Sequence, residues 1–445
     1  MHLSSLLRRS AVLLVASLTL QLPAAEPAEL ADVPPFPTET VDFGWVIPWK
    51  RKLLERAFAR FQQGASPVVD EAVESIAADP LVAGWLDDFA LFMALKEHHE
   101  GAVWNTWEPG AARREPAALA RWRTNLADAV AYHRFVQCVF RWQWQDLRDR
   151  CAANGIEILG DIPIFVAYDS ADVWAHRELF ELDDDGTPLA VAGVPPDYFC
   201  ETGQLWGNPL YDWPRLQADG FAWWIERFRV SLSLVDAVRL DHFRGFESYW
   251  RVPAGEETAV NGQWVKCPGA ALFKAVAAAL GSLPIMAEDL GVITPAVEAL
   301  REKFGFPGMR ILQFAFVNGA NGCFQPHRYE ANCLVYSGTH DNDTTVGWWH
   351  TCDESERDWL RRYLGTEPFE INWTLIRMAL ASVADTVLFP LQDLLGLGGE
   401  ARMNCPGRPG GNWQWRCAAG ADLGAAAARL LELVKLYQRD GLPEE

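Results

Sequence analysis

Three carboxylates stand in three separate cassettes, each just after a short apolar run: Asp241 in AVRLDHFRG, Glu288 in PIMAEDLG and Asp341 in YSGTHDNDT. Runs of that length and composition read as buried strands, so each acid falls at the carboxyl end of a strand. In a parallel barrel those ends meet at one face, and acids distant in sequence can act on one bond. Glycosyl chemistry is the expectation, because it needs a charged nucleophile beside a protonated acid. Alternate residues of a strand share a face, so Arg239 should lie beside Asp241 and favour the ionised carboxylate that a nucleophile requires. The competing role for this pair is a plain tie between strands. Glu288 closes the apolar run Leu283 to Ala287, and apolar walls favour the protonated form of a general acid. Its competing role is to cap the following turn, with Asp289 as an exposed neighbour. His340 and Asp341 suit the hydroxyls and the developing positive charge of a sugar ring. The alternatives there are a capping network of Asp341, Asp343, Thr344 and Thr345, or a metal site, for which no further ligands stand nearby at metal spacing. Asp161 ends the EILGD strand and either meets substrate or caps IPIF.

The elements that must hold these acids alternate. Apolar residues at three- and four-residue steps predict a helix from Trp49 to Phe61, a second through Phe89, Phe92 and Leu95, and a long one from about Ala127 to Ala153 ending at Asn154-Gly155. Strand EILGDIPIFV follows. A helix at Trp223-Trp224 then precedes LVDAVRLD, one from Ala270 to Leu280 precedes LPIMAEDLG, and one from Pro295 to Phe304 precedes MRILQFAF. CLVYSGTHD and DTVLFPLQDLL complete the strands. Such alternation predicts an α/β fold with a parallel sheet and helices outside it. Residues 169–213, 246–270 and 396–416 read as long loops, and loops of this size in a compact barrel are usually functional. Tyr198, Phe199 and Trp206 sit among Pro, Gly and Asn in the first, where exposed rings can stack on sugar faces.

With 445 residues, half of them apolar, the chain has ample material for one elaborated core. A net charge of −20 argues against a polyanionic partner, because nucleic-acid binding needs a clustered cationic footprint. The nine cysteines are odd in number and form no CxxC, which favours reduced, isolated thiols. Arg8 and Arg9 before the apolar stretch Ala11 to Leu20 have the outline of an export signal. That stretch is too short to span a bilayer. Residues 1–30 are therefore read as a signal-like or non-native leader before a barrel over 31–445, with a largely helical insertion at about 49–155.

The strings GDIPIFV, GVPPDYF, GQLWGNPLY, RLDHFRGFESYWRVPAGEETA, AEDLG, GTHDND, PLQDLLGLGGEARMN and GGNWQWR occur in this order. Together they resemble the 4-α-glucanotransferases, also called amylomaltases or disproportionating enzymes, from roughly residue 38 to the carboxyl terminus. The resemblance implies a TIM-type barrel of the α-amylase clan with inserted helical and loop subdomains. By motif position it makes Asp241 the nucleophile, Glu288 the acid/base and Asp341 the transition-state stabiliser. Arg239, His340 and Asp161 would contact the donor sugar. Tyr198, Phe199, Gln204, Trp206 and Asn208 would cover the acceptor side, and Asn412 and Trp415 would line the groove further on. It implies maltooligosaccharide substrates, a retaining double displacement, no metal and no cofactor. The cysteines point to a cytoplasmic location, with export the alternative if the signal-like segment is real. A retaining α-glucan hydrolase of the same clan is the runner-up, and a truncated glucan-binding fragment the third reading. The opening motifs LLHPTSLP and GDSPYQ of such proteins do not occur. The first strand of the barrel is accordingly expected to be missing.

Overall fold

The computed structural model describes residues 33–196, 201–317 and 322–440. Its backbone divides into two compact units, one formed chiefly by residues 54–304 and the other chiefly by residue 305 onward with the segment up to residue 53.

The first unit opens with helices. Pro67–Ala78 and Ala127–Ala153 each present an apolar stripe, Pro80–His98 is apolar on most sides, and Val69, Val73, Val82, Leu86, Phe135, Cys138 and Val139 meet Ala57 and Phe58 in one buried cluster. Asp79 starts the second helix by accepting a hydrogen bond from the Leu81 N–H at 2.9 Å, with Pro80 at the first helical position. The long helix ends where Gly155 takes φ +69°, a left-handed value that favours glycine.

Seven strands follow: β1 Leu159–Pro163, β2 Ala190–Val194, β3 Gln204–Pro209, β4 Ala237–Asp241, β5 Ser248–Pro253, β6 Gln263–Lys266 and β7 Ile285–Ala287. β1, β4 and β7 form a parallel sheet in the order β1-β4-β7, with helices Ala222–Leu234 and Gly269–Leu280 in the connections. In β4 the pattern sets which way each side chain points. Val238 and Leu240 are fully buried on one face, which turns Arg239 and Asp241 to the other. Trp224 and Phe228 of the preceding helix are likewise fully buried. Truncating either to Ala would destabilise the unit by about 3–5 kcal/mol.

The first two regions read as long loops hold a second sheet. β2, β3, β5 and β6 make a four-stranded antiparallel layer in the order β3-β2-β5-β6. Their alternation is broken by close backbone approaches: a Cβ on Gly193 would stand 2.5 Å from the Gln204 carbonyl oxygen. β3 is exposed over most of its length, so no buried face writes a period of two into its sequence.

In the second unit β8 Gly308–Ile311, β9 Cys333–Tyr336 and β10 Thr386–Leu388 form another parallel sheet, ordered β10-β9-β8. Helices Thr345–Thr351, Glu354–Leu364 and Ile371–Leu380 lie in the β9 to β10 connection. Leu312, Phe316, Val335, Leu360 and Leu375 form its core. Helix Leu423–Leu436 packs Leu433 and Val434 against Ile376, Leu380 and Leu394. The expected strand DTVLFPLQDLL is shorter than its apolar run. Pairing stops at Leu388, and after Pro390 the chain turns into helix Leu391–Leu395. Among the described residues the parallel strands thus number six, in two sheets of three. The fold class is α/β.

Candidate active site

The first unit builds an arginine-centred carboxylate row. Parallel pairing sets Asp161 of β1 beside Arg239 of β4, and two residues on sets Pro163 beside Asp241. The Arg239 guanidinium donates to Asp161 Oδ2 at 2.6 Å and to Asp241 Oδ1 at 2.7 Å. It is nearly buried, with 12% of its side chain exposed, whereas Asp161 and Asp241 keep 48% and 44%. Burial opposes the charge on Arg239, but Asp241, Asp161 and Glu288 outweigh it and hold the guanidinium more firmly protonated than usual. The strand-to-strand tie and the orientation of Asp241 are therefore one interaction. Further bonds fix the segment just past β1: Arg227 donates to the carbonyls of Pro163 at 2.6 Å and Ile164 at 3.1 Å, and the Tyr211 hydroxyl to Ile164 at 2.8 Å.

Glu288 follows β7, whose Ala287 pairs with Leu240. Its N–H donates to the Leu240 carbonyl at 3.0 Å, and its own carbonyl accepts from Phe243 at 3.1 Å. One step beyond the pairing, Glu288 stands across from Asp241. Neighbouring strands lie about 4.8 Å apart, so the two acids are near neighbours on adjacent strands. Both oxygens of Glu288 are oriented by backbone: Oε2 accepts from His242 N–H at 2.8 Å and Oε1 from Leu290 N–H at 3.0 Å. The turn-capping role is real. Burial, then the neighbouring Asp241 charge, raise its carboxyl to about 7, against the partial opposition of Arg239 and the two N–H donors. Asp289, expected to be exposed, is instead 7% exposed, and its Oδ2 lies 3.4 Å from Arg301 Nε. The apolar run continues its burial one residue past Glu288.

His242 was not singled out by sequence. It takes φ 52° and ψ 50°, a left-handed conformation uncommon for a residue with a Cβ. Its ring meets Trp206 edge-on at 4.8 Å between centroids. Its Nε2 is buried and finds no hydrogen-bond partner among the described residues. Burial, aided by Arg244, pushes its pKa down to about 3, so the ring is neutral at working pH. Its place directly after Asp241 was the available signal, but a left-handed histidine leaves no compositional mark.

On the expected acceptor loop, Trp206 is 37% exposed and donates from Nε1 to Gln204 Oε1 at 3.2 Å. Asn208 uses its amide to hold the Val166 carbonyl at 2.9 Å, so its first role is to shape the segment after β1. Tyr198 and Phe199 lie outside the described residues.

The second unit carries His340 and Asp341 in the loop after β9. Asn404 Nδ2 donates to Asp341 Oδ1 at 2.6 Å, Arg402 Nη2 to the Asp341 carbonyl at 2.6 Å, and His340 Nε2 stands 3.4 Å from Asp341 Oδ2. The cap of the next helix is Thr344, whose hydroxyl accepts from Gly347 N–H at 3.0 Å, which leaves Asp341 outside the capping network. Trp413 packs on His340 at 5.2 Å between ring centroids and is 47% exposed. Asn412 uses its side chain within its own loop, accepting from Cys405 N–H at 3.0 Å and donating to the Arg408 carbonyl at 2.9 Å. Trp415 is tied by a backbone bridge to Thr40. Sequence reading thus missed Asn404 and Trp413 as the partners of the His340-Asp341 pair.

Among the described residues no His, Cys, Asp or Glu side chains group in a way that could hold a metal ion, and no helix is long and apolar enough to cross a membrane.

A braced aspartate beside a glutamate of raised pKa, at the carboxyl ends of parallel strands, is the equipment of enzymes that break and remake glycosidic bonds. Known proteins narrow that class. A family model described as 4-alpha-glucanotransferase matches residues 6–421, and the chain belongs to this family. A 4-alpha-glucanotransferase of Thermus thermophilus is 50% identical over 414 residues, which is 91% of this chain and 82% of that protein. One of Synechocystis sp. is 52% identical over 396 residues, or 88% and 78% of the two chains. A solved amylomaltase from Streptococcus agalactiae, in complex with acarbose, superposes with a TM-score of 0.89 at 37% identity, covering 94% of this chain and 84% of that one.

Proposed function

We propose that this enzyme transfers α-1,4-glucan segments between maltooligosaccharides by a retaining double displacement. Asp241 attacks the anomeric carbon while Glu288 delivers its proton to the departing glucan oxygen, leaving a glycosyl ester on Asp241. Glu288, now ionised, takes the proton from an incoming sugar hydroxyl, whose oxygen displaces Asp241 and restores the original linkage geometry. Asp341 steadies the positive charge on the ring between these two events. Arg239, Asp161 and His340 hold the donor sugar, and Gln204, Trp206 and Asn208 with Tyr198 and Phe199 form the acceptor side, with Asn412 and Trp415 further along the groove. The observation that carries this reading is the contrast between two neighbouring acids. Asp241 bonds a buried guanidinium, while Glu288 is raised to about 7, near the pH at which an acid must give and retake a proton.

The test is incubation with maltotriose. Glucose together with maltotetraose and longer chains is the expected product pattern. Glucose and maltose without chain extension would replace the transferase with a hydrolase, and no product at all would leave a glucan-binding protein. The odd count of nine cysteines and the lack of a CxxC support a reducing, cytoplasmic setting.

A further inference from the structure

Asp393 is fully buried, yet it lies outside the strands of the site. It sits in helix Leu391–Leu395. Its Oδ2 accepts from the Ser337 hydroxyl at 2.6 Å and the Thr345 hydroxyl at 2.7 Å, while Oδ1 accepts from the Thr345 N–H at 2.7 Å. Ser337 is the first residue after β9, and Thr345 opens the next helix. The loop between them carries His340 and Asp341, and Asp341 stands midway in the chain between the two anchors. Both ends of that loop are therefore fastened to one side chain.

The rest of the loop is held by bonds within it and from other segments. Gln313 donates to the Asp343 carbonyl at 2.9 Å, Asn342 Oδ1 accepts from the Thr339 N–H at 2.9 Å, and Asn404 fixes the Asp341 carboxylate. The Asp393 side chain is bonded to both ends at once. Its own backbone carbonyl accepts from Asn372 Nδ2 at 2.7 Å, which ties the clamp to helix Ile371–Leu380. A carboxylate taken so far from water is a poor choice for stability alone, since an apolar residue would fill the space without desolvating a charge.

We propose that Asp393 is a positioning residue for Asp341: it clamps the two ends of the Ser337–Thr345 loop and so fixes where the Asp341 carboxylate stands. This rests on the proposed role of Asp341, and the two ideas fail separately. Asp393→Ala cuts all three side-chain bonds. A reacting group misplaced by about 1 Å loses roughly 100-fold in rate, so kcat on maltotriose should fall about 10- to 100-fold while KM moves less than about threefold. Asp393→Asn is the conservative rescue. Its carbonyl keeps the Thr345 N–H, and its NH2 donates to both hydroxyls, which rotate to accept. It should retain kcat within about threefold of wild type.

A purely structural role would lower folded protein and leave these ratios untouched, so kcat is taken per folded enzyme at a temperature well below the melting transition of each variant. Should Asp393→Ala fail to fold, Ser337→Ala and Thr345→Val each remove one tether and are read the same way. The deciding measurement is a double-mutant cycle with Asp341→Asn. If Asp393 acts through Asp341, adding Asp393→Ala to Asp341→Asn lowers kcat little further. Full additivity would overturn the proposal, as would wild-type kcat in Asp393→Ala or an Asn variant as slow as the Ala variant. Full activity of Asp341→Asn alone would instead remove the role given to Asp341.

Discussion

Arg239→Met removes the centre of the carboxylate row and fills its space with an uncharged stem. Two charge-assisted bonds are lost, at 2.6 and 2.7 Å. Such bonds contribute about 1.5–3 kcal/mol each. Asp161 and Asp241 keep 48% and 44% of their side chains exposed, so water replaces part of each bond and the lower figure applies. A loss of about 3 kcal/mol corresponds to roughly a 150-fold fall in kcat/KM. The pH profile gives an independent sign. Arg239 favours the ionised form of Glu288, so its removal raises the Glu288 pKa further and keeps the acid protonated to higher pH. The alkaline limb of kcat/KM, expected near pH 7 in the wild type, should therefore move upward. Glucose release from maltotriose, measured between about pH 5 and 9, reads both effects. A variant within threefold of wild type, or an alkaline limb displaced downward, would refute the reasoning.

Glu288→Gln should lower kcat on maltotriose by about 100- to 10,000-fold, yet lose far less on a glycosyl fluoride donor, whose leaving group needs no proton. Equal losses on both donors would remove the acid role. Trp206→Ala should shift products from longer oligomers towards free reducing sugar, because an exposed ring beside His242 is lost from the acceptor loop; chromatography of the product series checks the ratio. Asn404→Ala deletes the 2.6 Å bond to Asp341. At about 1.5 kcal/mol, the lower figure for a bond to a half-exposed carboxylate, kcat should fall roughly 10-fold, whereas a change confined to KM would contradict an orienting role.

The strands that hold the acids were legible because burial leaves a mark in composition. β4 alternates buried Val238 and Leu240 with Arg239 and Asp241, and this same alternation writes the face on which the arginine must lie. The antiparallel sheet was not legible. Its strands are short, its member β3 is mostly exposed, and Gly193 enters for close approach rather than for a face. Asp289 was misjudged because one residue's burial at a strand end depends on Arg301, which lies in a later helix. The partners of Asp341 were hidden for a related reason. Asn404 and Trp413 come from a Gly-rich segment with no periodicity, and only the folded chain brings them to the loop after β9. Asn208 and Asn412 carry the right chemistry for sugar, but their amides are first engaged with backbone carbonyls.

The central claim is that Asp241 becomes covalently glycosylated while Glu288 handles the proton. Glu288→Gln enzyme incubated with a maltosyl fluoride, then digested and mapped by mass spectrometry, tests it directly. An added maltosyl mass on the peptide bearing Asp241, absent from Asp241→Asn protein treated alike, is the predicted result. A glycosylated peptide elsewhere in the chain, or efficient turnover of the fluoride by Asp241→Asn, would contradict it.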